Sequence, residues 1–138
     1  MQPNILWVRV HTDDNIIALG ETYYLPGAVE AVLHDLVAHF LLGSSPLDVE
    51  LIWDHVFSWT NFFGYAGAEM HGLAAVDMAL WDIRGQYLGQ SIYNLLGGMC
   101  RDRMRVYNAC VNGGSYTDYT DFLERPAELA RSLCEQCC

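Results

Sequence analysis

Hydrophobic and polar positions alternate in two runs near the start of the chain. In ILWVRV, residues 5–10, one face carries Leu6, Val8 and Val10 and the other carries Trp7 and Arg9. A period of two is the pattern of a half-buried strand. The polar cluster HTDDN favours a turn, and a second extended run, IIALGETYY, follows at 16–24. The two runs predict an antiparallel β-hairpin, which needs a further strand or a layer of helices to be stable.

After Pro26 the apolar spacing changes to three and four. The stripe consists of Val29, Val32, Leu33, Leu36, Val37, Phe40 and Leu41. This period predicts one amphipathic helix that ends near Gly43. Ser45 followed by Pro46 predicts the N-cap and first residue of a second helix. The inward positions of that helix are Val49, Ile52, Trp53, Val56 and Phe57.

A longer helix is predicted at about residues 68–85, after the aromatic, glycine-bearing loop SWTNFFGYAG. Its main stripe is formed by Leu73, Val76, Leu80, Ile83 and Tyr87. Small side chains cover much of the remaining surface, so we expect this helix to be buried between neighbours. A short helix, SIYNLL, begins at Ser91 and ends before Gly97 and Gly98.

The end of the chain shows a strand, a loop and the start of a helix. Met104, Val106 and Asn108 alternate with Arg105 and Tyr107, which predicts a strand, and Pro126 opens a further helix. The fold class that we predict is therefore α+β: an antiparallel hairpin or sheet, then a helical bundle, then the first strand and helix start of a β/α array.

Two carboxylates, Asp77 and Asp82, interrupt the long apolar helix. Five residues apart, they point about 140° away from each other. A general acid and base that act on one substrate would need a shared face, so we do not expect a catalytic pair. The expectation is that both acids bond to backbone groups or nearby cationic side chains.

Charge excludes two classes of partner. The net charge is −10, and all seven basic residues are arginines scattered along the chain. A nucleic-acid surface needs clustered basic residues, and an acidic chain does not favour an anionic membrane. The most apolar helical run is interrupted by Glu30, His34 and Asp35, so it does not predict a membrane span. The first residues lack the pattern of a secretory signal, and the expected location is the cytoplasm.

Histidine and cysteine offer little for a metal site. None of the five histidines forms a His-x-x-x-His pair. The tail CEQCC places Cys134, Cys137 and Cys138 in a Cys-x-x-Cys-Cys pattern, but Cys100 and Cys110 do not supply a second ligand pair. We therefore expect thiols without a metal, with a redox dithiol as the remaining possibility for the tail.

The segment HGLAAVDMALWDIRGQYLGQSIYNLLGG resembles the signature of the mandelate racemase/muconate lactonizing enzyme family of the enolase superfamily. The matching positions are Ala75, Asp77, Ala79, Leu80, Asp82, Gly85, Gln86, Ser91, Ile92, Leu95, Leu96 and Gly97. LGETYYLP is similar to a capping-domain strand and loop, FFGYAGAEM to the loop before the signature, and RDRMRVYNAC to the first barrel strand. The sequences of these loops resemble those of sugar-acid dehydratases more than those of racemases.

The resemblance implies an enolase-like capping domain at 1–102, without the first strand that relatives have, and the beginning of a truncated (β/α) barrel at 103–138. In complete relatives a base removes the proton α to a carboxylate and Mg²⁺ stabilises the enediolate. The bases and metal ligands lie on later barrel strands. The chain contains no lysine, and therefore no Lys-x-Lys base motif. We expect no cofactor, metal site or catalytic residue in this chain, and no activity of the chain alone.

The same resemblance implies which residues face the substrate in a complete enzyme. They are Tyr23 and Tyr24 in the capping loop, Phe62, Phe63 and Tyr65 before the long helix, and Asn108 and Cys110 at the rim of the barrel. The expected substrate is an acid sugar or another carboxylate. Packing between elements is the alternative role for the aromatic residues.

Three functions follow from these patterns. The first is a capping fragment of a Mg-dependent acid-sugar dehydratase or racemase-like enzyme. The second is a stand-alone protein-interaction module that reuses the capping fold. The third is a metal or redox protein that uses the cysteine tail. Apolar surface left without a barrel also predicts self-association.

Overall fold

A computed structural model describes residues 5–23, 25–62, 64–105 and 123–136 of the chain. The chain forms two compact units, residues 1–99 and 100–138. The first unit contains the hairpin and most of the helices, and the second contains one described helix.

The predicted hairpin is confirmed. Strand β1 (Ile5–His11) pairs antiparallel with β2 (Ile17–Tyr23), with Ile5 opposite Tyr23 and His11 opposite Ile17. The backbone N–H of Thr12 donates to the carbonyl of Ile16 at 3.0 Å and closes the turn. Alternate β2 residues, Ala18, Gly20 and Thr22, are buried, so one face of the hairpin lies on the helices.

The first predicted helix is interrupted by a π-helical turn. Its parts are α1 (Pro26–Val32), the π-helical segment (Leu33–Val37) and α2 (Ala38–Leu41). A π turn contains i→i+5 bonds and shifts the phase of the residues that follow. Of the predicted stripe, only Val29 and Val37 are completely buried. The others are half-buried, because the stripe does not stay on one straight line.

The predicted start of the second helix at Ser45 and Pro46 is wrong. Helix α3 (Val49–Thr60) begins three residues after Pro46, with Asp48 as its N-cap. The carbonyl of Ser45 instead accepts a bond from the N–H of Asp48 at 3.1 Å, which closes a separate turn. The inward positions of α3 are predicted correctly: Val49, Ile52 and Val56 are buried.

Helix α4 (Ala68–Leu88) is the central element of the first unit. It packs on β2, α1 and α3, and supplies Leu73, Val76, Ala79, Leu80 and Ile83 to the core. A Cβ at Gly20 would stand only 1.7 Å from the carbonyl oxygen of Ala75. The hairpin can lie this close to α4 because β2 has a glycine at that position. The short helix α5 (Ile92–Leu95) follows, preceded by Ser91.

In the second unit, helix α6 (Pro126–Gln136) begins at the predicted proline, and Leu129 is buried. Most of the predicted barrel strand, including Val106 and Asn108, lies outside the described residues. Met104 and Arg105 are exposed and have no regular secondary structure. The beginning of a barrel and the boundary at 102 and 103 therefore stay predictions.

Within the described segments, no helix is both long and apolar enough to cross a membrane.

Candidate functional site

The end of β2 meets the first turn of α4 at a cluster of polar and aromatic side chains, which we call the β2–α4 cluster (Thr22, Tyr23, Glu69 and His71). The Thr22 hydroxyl lies 3.2 Å from Nδ1 of His71. The Tyr23 ring meets the His71 ring edge-on, with centroids 6.2 Å apart and planes at 74°. Thr22 is buried and His71 is half-buried, so the imidazole is held at a fixed position between the strand and the helix.

The Thr22 hydroxyl contacts both the His71 ring and the backbone of β2. A hydroxyl has one proton. It either donates to Nδ1 of His71, or accepts from Nδ1 and donates to the Tyr23 carbonyl, 3.5 Å away. The first arrangement requires an imidazole without a proton on Nδ1. The second requires a proton on Nδ1, so the tautomer of His71 decides the direction of this bond.

Glu69 organises the loop that enters α4. One of its carboxylate oxygens, Oε1, accepts the backbone N–H of Gly67 at 2.8 Å. The pKa of Glu69 lies below its ordinary value, first because its own backbone N–H bonds to the carboxylate, then because that of Gly67 does. A Cβ at Gly64 or Gly67 would come within 2.7 or 2.8 Å of this carboxylate, so the two glycines let the loop wrap around it.

The described aromatic residues of the predicted site are at the surface. Tyr23 is 68% exposed, Phe62 92% and Tyr65 73%. Tyr23 belongs to the β2–α4 cluster, whereas Phe62 borders a separate apolar groove of about 380 Å³ with Phe40, His55, Ser58 and Trp59. Tyr24, Phe63, Asn108 and Cys110 lie outside the described residues. A substrate-facing role stays a prediction for all seven.

The two acids of α4 have different surroundings. Asp82 accepts a hydrogen bond from Nε2 of Gln86 at 3.0 Å, and the same Nε2 donates to the carbonyl of Ile17 at 3.1 Å. Asp82 thus helps to tie the helix to β2. The pKa of Asp77 is raised, first by burial and then by the nearby negative charge of Glu50. Asp77 is therefore an acid next to another acid, whereas the sequence predicts a bond to a backbone group or a cationic side chain.

The described residues do not fit a metal ion. Among them, no three His, Cys, Asp or Glu side chains stand close enough together to hold one. Mg²⁺ takes oxygen ligands in octahedral geometry, and several of them are usually water molecules.

Sequence reasoning missed Thr22, Glu69 and His71 as members of one cluster. The available signal was local: Glu69 follows Gly64 and Gly67 at the start of a predicted helix, where a carboxylate binds free backbone N–H groups. The contact of Thr22 with His71 joins residues 49 positions apart. The periodicity of a single sequence carries no information on that pairing.

Comparison with known proteins places the chain in a family. Residues 2–97 match the N-terminal domain of the mandelate racemase / muconate lactonizing enzyme family. D-galactonate dehydratase of Verminephrobacter eiseniae is 37% identical over 122 residues, which cover 86% of this chain and 31% of that protein. The D-galactonate dehydratase of Variovorax paradoxus is 34% identical over 91% of this chain and 33% of its own length. The chain thus spans about a third of these relatives.

Solved structures give the same result. An enolase of the mandelate racemase subgroup from Agrobacterium tumefaciens is 38% identical with a TM-score of 0.73, over 96% of this chain and 32% of that one. A mandelate racemase/muconate lactonizing protein from Paracoccus denitrificans, complexed with magnesium, is 38% identical with a TM-score of 0.65, over 69% of this chain and 26% of its own. The predicted capping-domain fold and the resemblance are confirmed: this chain belongs to the mandelate racemase/muconate lactonizing enzyme family and contains its N-terminal domain.

Proposed function

We propose that this chain is the capping part of a Mg-dependent acid-sugar dehydratase, with the capping domain at 1–102 and the beginning of the barrel at 103–138. The observation that carries the proposal is the 37% identity to a D-galactonate dehydratase over 86% of the chain. The chain covers 31% of that relative, so the remaining length would supply the barrel.

The exposed aromatic residues support a capping role. Tyr23 and Tyr65 present most of their rings to solvent, and Phe62 presents nearly all of its ring. Aromatic rings contribute large contact areas when a ligand or a second surface covers them. In the complete enzyme these residues, with Tyr24, Phe63, Asn108 and Cys110, would close over the substrate and exclude water.

The β2–α4 cluster supplies polar groups next to that aromatic surface. The contact with Thr22 holds the His71 imidazole in place, and Glu69 fixes the loop that carries Tyr65. A positioned imidazole can hydrogen-bond a hydroxyl or carboxylate of an acid sugar. We therefore propose that the cluster orients the substrate, while proton abstraction takes place on the barrel.

Magnesium belongs to the complete enzyme in this proposal. When bound, it would stabilise the enediolate formed by removal of the α proton. The described residues of this chain contain no group of ligands for it, so we assign no step of the reaction to this chain through the metal. We expect the chain alone to be inactive.

A chimera tests the capping role. Residues 2–97 of this chain would replace the matching domain of the V. eiseniae D-galactonate dehydratase, and release of the 2-keto-3-deoxy acid would be measured. We expect turnover of an acid sugar, and a higher KM with Tyr23→Ala. Leu42→Ala changes an exposed apolar residue elsewhere in the domain and is the matched control. A folded chimera that turns over no acid sugar would contradict the proposal.

The second candidate is a stand-alone interaction module, and the exposed apolar residues favour it. A complete, inactive chain that forms one defined oligomer would support this function over the first.

For either function we propose a cytoplasmic location, since the cysteine pattern does not indicate a disulfide framework. We also propose that the chain does not bind nucleic acid or membranes.

A further inference from the structure

One side chain of the β2–α4 cluster carries a charge that has no part in the contacts proposed above. Glu69 lies in the first turn of α4, two residues before His71. Its pKa is lowered first by its own backbone N–H, then by that of Gly67 and least by the charge of His71, so it is ionised at neutral pH. A negative charge therefore stands beside the side chains that we propose to meet the substrate.

This carboxylate already fills the start of α4. Backbone N–H groups at the start of a helix attract anions. Oε1 of Glu69 accepts the N–H of Gly67 at 2.8 Å, and the N–H groups of Glu69 and Ala66 also lower its pKa. A Cβ at Gly64 would stand 2.7 Å from the same oxygen, so the loop closes on the carboxylate. The N–H groups that could bind a substrate carboxylate are therefore occupied by one from the chain itself.

The arginines of the matched family domain lie away from the cluster. This domain contains two of them, both within the described residues, and no lysine. Arg9 is four residues along β1 from the partner of Tyr23, which is about 13 Å. Arg84 follows His71 by 13 residues on α4, about 20 Å along the axis, and lies over the ring of Trp81. The domain thus brings no guanidinium or ammonium group to the cluster that could offset the charge of Glu69.

Acid sugars differ in the number of carboxylates that they carry. An aldonate has one carboxylate, next to the carbon that loses its proton in the proposed reaction, and a hydroxyl at the other end. An aldarate has a second carboxylate at that other end. A hydroxyl can donate a hydrogen bond to a carboxylate such as that of Glu69, whereas a second carboxylate would be repelled by it.

We propose that Glu69 selects aldonates against aldarates by holding a negative charge where the second carboxylate of an aldarate would lie. This inference rests on the proposed function and names the substrate class of the same cluster. Two like charges roughly 8 Å apart near a protein surface repel each other enough to weaken binding by at least about tenfold. Glu69 is thus a specificity-determining residue in addition to its role in the loop.

The 138-residue chain tests the occupied helix start without a barrel. Galactarate, an aldarate, would be titrated into wild type and Glu69→Ala while the amide resonance of Gly67 is followed by NMR, with sodium chloride at equal ionic strength as the reference. We expect the variant to bind galactarate at least about tenfold more tightly, because it has free N–H groups and lacks the repelling charge. Asp54→Ala removes an exposed charge on α3 and should respond like wild type. Equal responses of wild type and Glu69→Ala would overturn the proposal.

The chimera with the V. eiseniae enzyme tests the selection in the presence of a barrel. Galactarate would be measured as a competitive inhibitor of D-galactonate turnover. Glu69→Gln removes the charge and keeps a side-chain oxygen for the N–H of Gly67. We expect the inhibition constant of galactarate to fall at least about tenfold in this variant, and to stay unchanged with Asp54→Asn.

Salt separates the effect of charge from that of side-chain shape. The difference between the wild-type and Glu69→Gln chimeras should shrink between about 50 mM and 500 mM salt, because salt screens exposed charges. A difference that does not change with salt would contradict selection by charge.

The outcomes distinguish this inference from the proposed function. A folded chimera that turns over no acid sugar contradicts the proposed function, and the titration of the 138-residue chain still decides whether Glu69 excludes a dicarboxylate. An active chimera whose inhibition constant for galactarate is the same with Glu69→Gln contradicts this inference alone.

Discussion

At the scale of single residues, the two acids of α4 show what the spacing of residues along a helix can and cannot predict. Their spacing separates them, and Asp82 accepts a hydrogen bond from the neutral amide of Gln86, where the sequence predicts a backbone group or a cationic side chain. The neighbour of Asp77 is Glu50 of α3. Which side chain a neighbouring helix presents depends on how the two helices pack, and the period of one helix does not contain that information.

Asp77→Asn should therefore stabilise the protein at pH 7. Burial and Glu50 raise the pKa of Asp77, so the folded state binds its proton more tightly than the unfolded state does. The stability of the wild type then falls as pH rises from about 4 through the raised pKa. We expect a gain in Tm of about 1–3 °C at neutral pH, which disappears below about pH 4.

Thermal melts across this pH range measure the effect. Asp54→Asn removes a charge from an exposed position on α3 and is the control. A loss of stability on Asp77→Asn at pH 7 would show that the ionised Asp77 makes a favourable contact.

Gly20→Ala should be strongly destabilising. The new Cβ would overlap the carbonyl oxygen of Ala75, which belongs to the backbone of α4 and cannot rotate away. The hairpin would have to separate from the helix, at a cost of about 2–5 kcal/mol. Gly27→Ala is the matched control, because nothing lies within 4 Å of its Cβ position. Denaturant unfolding should show a large loss for the first variant and little or none for the second.

At the scale of elements, periodicity predicted the two strands and the position of the longest helix, because these elements have one buried face each. It did not predict the π-helical segment Leu33–Val37. One additional residue in a turn barely changes an apolar spacing of three and four, so both structures fit the same sequence. The error at Ser45 has a similar origin, since a proline suits an isolated turn as well as a helix start.

At the scale of elements, the prediction concerns Glu69, which fixes the loop that enters α4. Glu69→Gln should lower stability at pH 7 by at most about 1 kcal/mol, because the carboxylate that binds the Gly67 N–H is exposed to solvent and screened. Its lowered pKa means that the ionised form stabilises the fold above about pH 4. That contribution is lost as pH falls through the pKa of the folded state.

The difference in Tm between wild type and Glu69→Gln should consequently shrink in acid. Glu128→Gln, in the first turn of α6, is a comparison at another helix start. An equal difference at pH 3 and pH 7 would mean that the amide disturbs the loop for reasons other than charge.

At the scale of the whole molecule, the family was accessible from the sequence because its signature occupies one continuous segment. The site was less accessible: the β2–α4 cluster joins residues from two distant segments, and Tyr24, Phe63, Asn108 and Cys110 lie outside the described residues. The chain covers 31% of the D-galactonate dehydratase of V. eiseniae. Chemistry that a barrel assembles from several strands requires those strands to be present together.

The last prediction follows from that requirement. The purified 138-residue chain should form no 2-keto-3-deoxy acid from D-galactonate with Mg²⁺, while the V. eiseniae enzyme does so under the same conditions. A ligand that binds only the folded state raises its stability. The described residues contain no group of metal ligands. Mg²⁺ at about 10 mM, roughly ten times a millimolar dissociation constant, should therefore shift Tm by less than about 1 °C. A larger shift, specific for Mg²⁺ over Na⁺ at equal ionic strength, would reveal a site in the chain. Turnover that disappears with a chelator would go further and show that the chain holds its own catalytic groups.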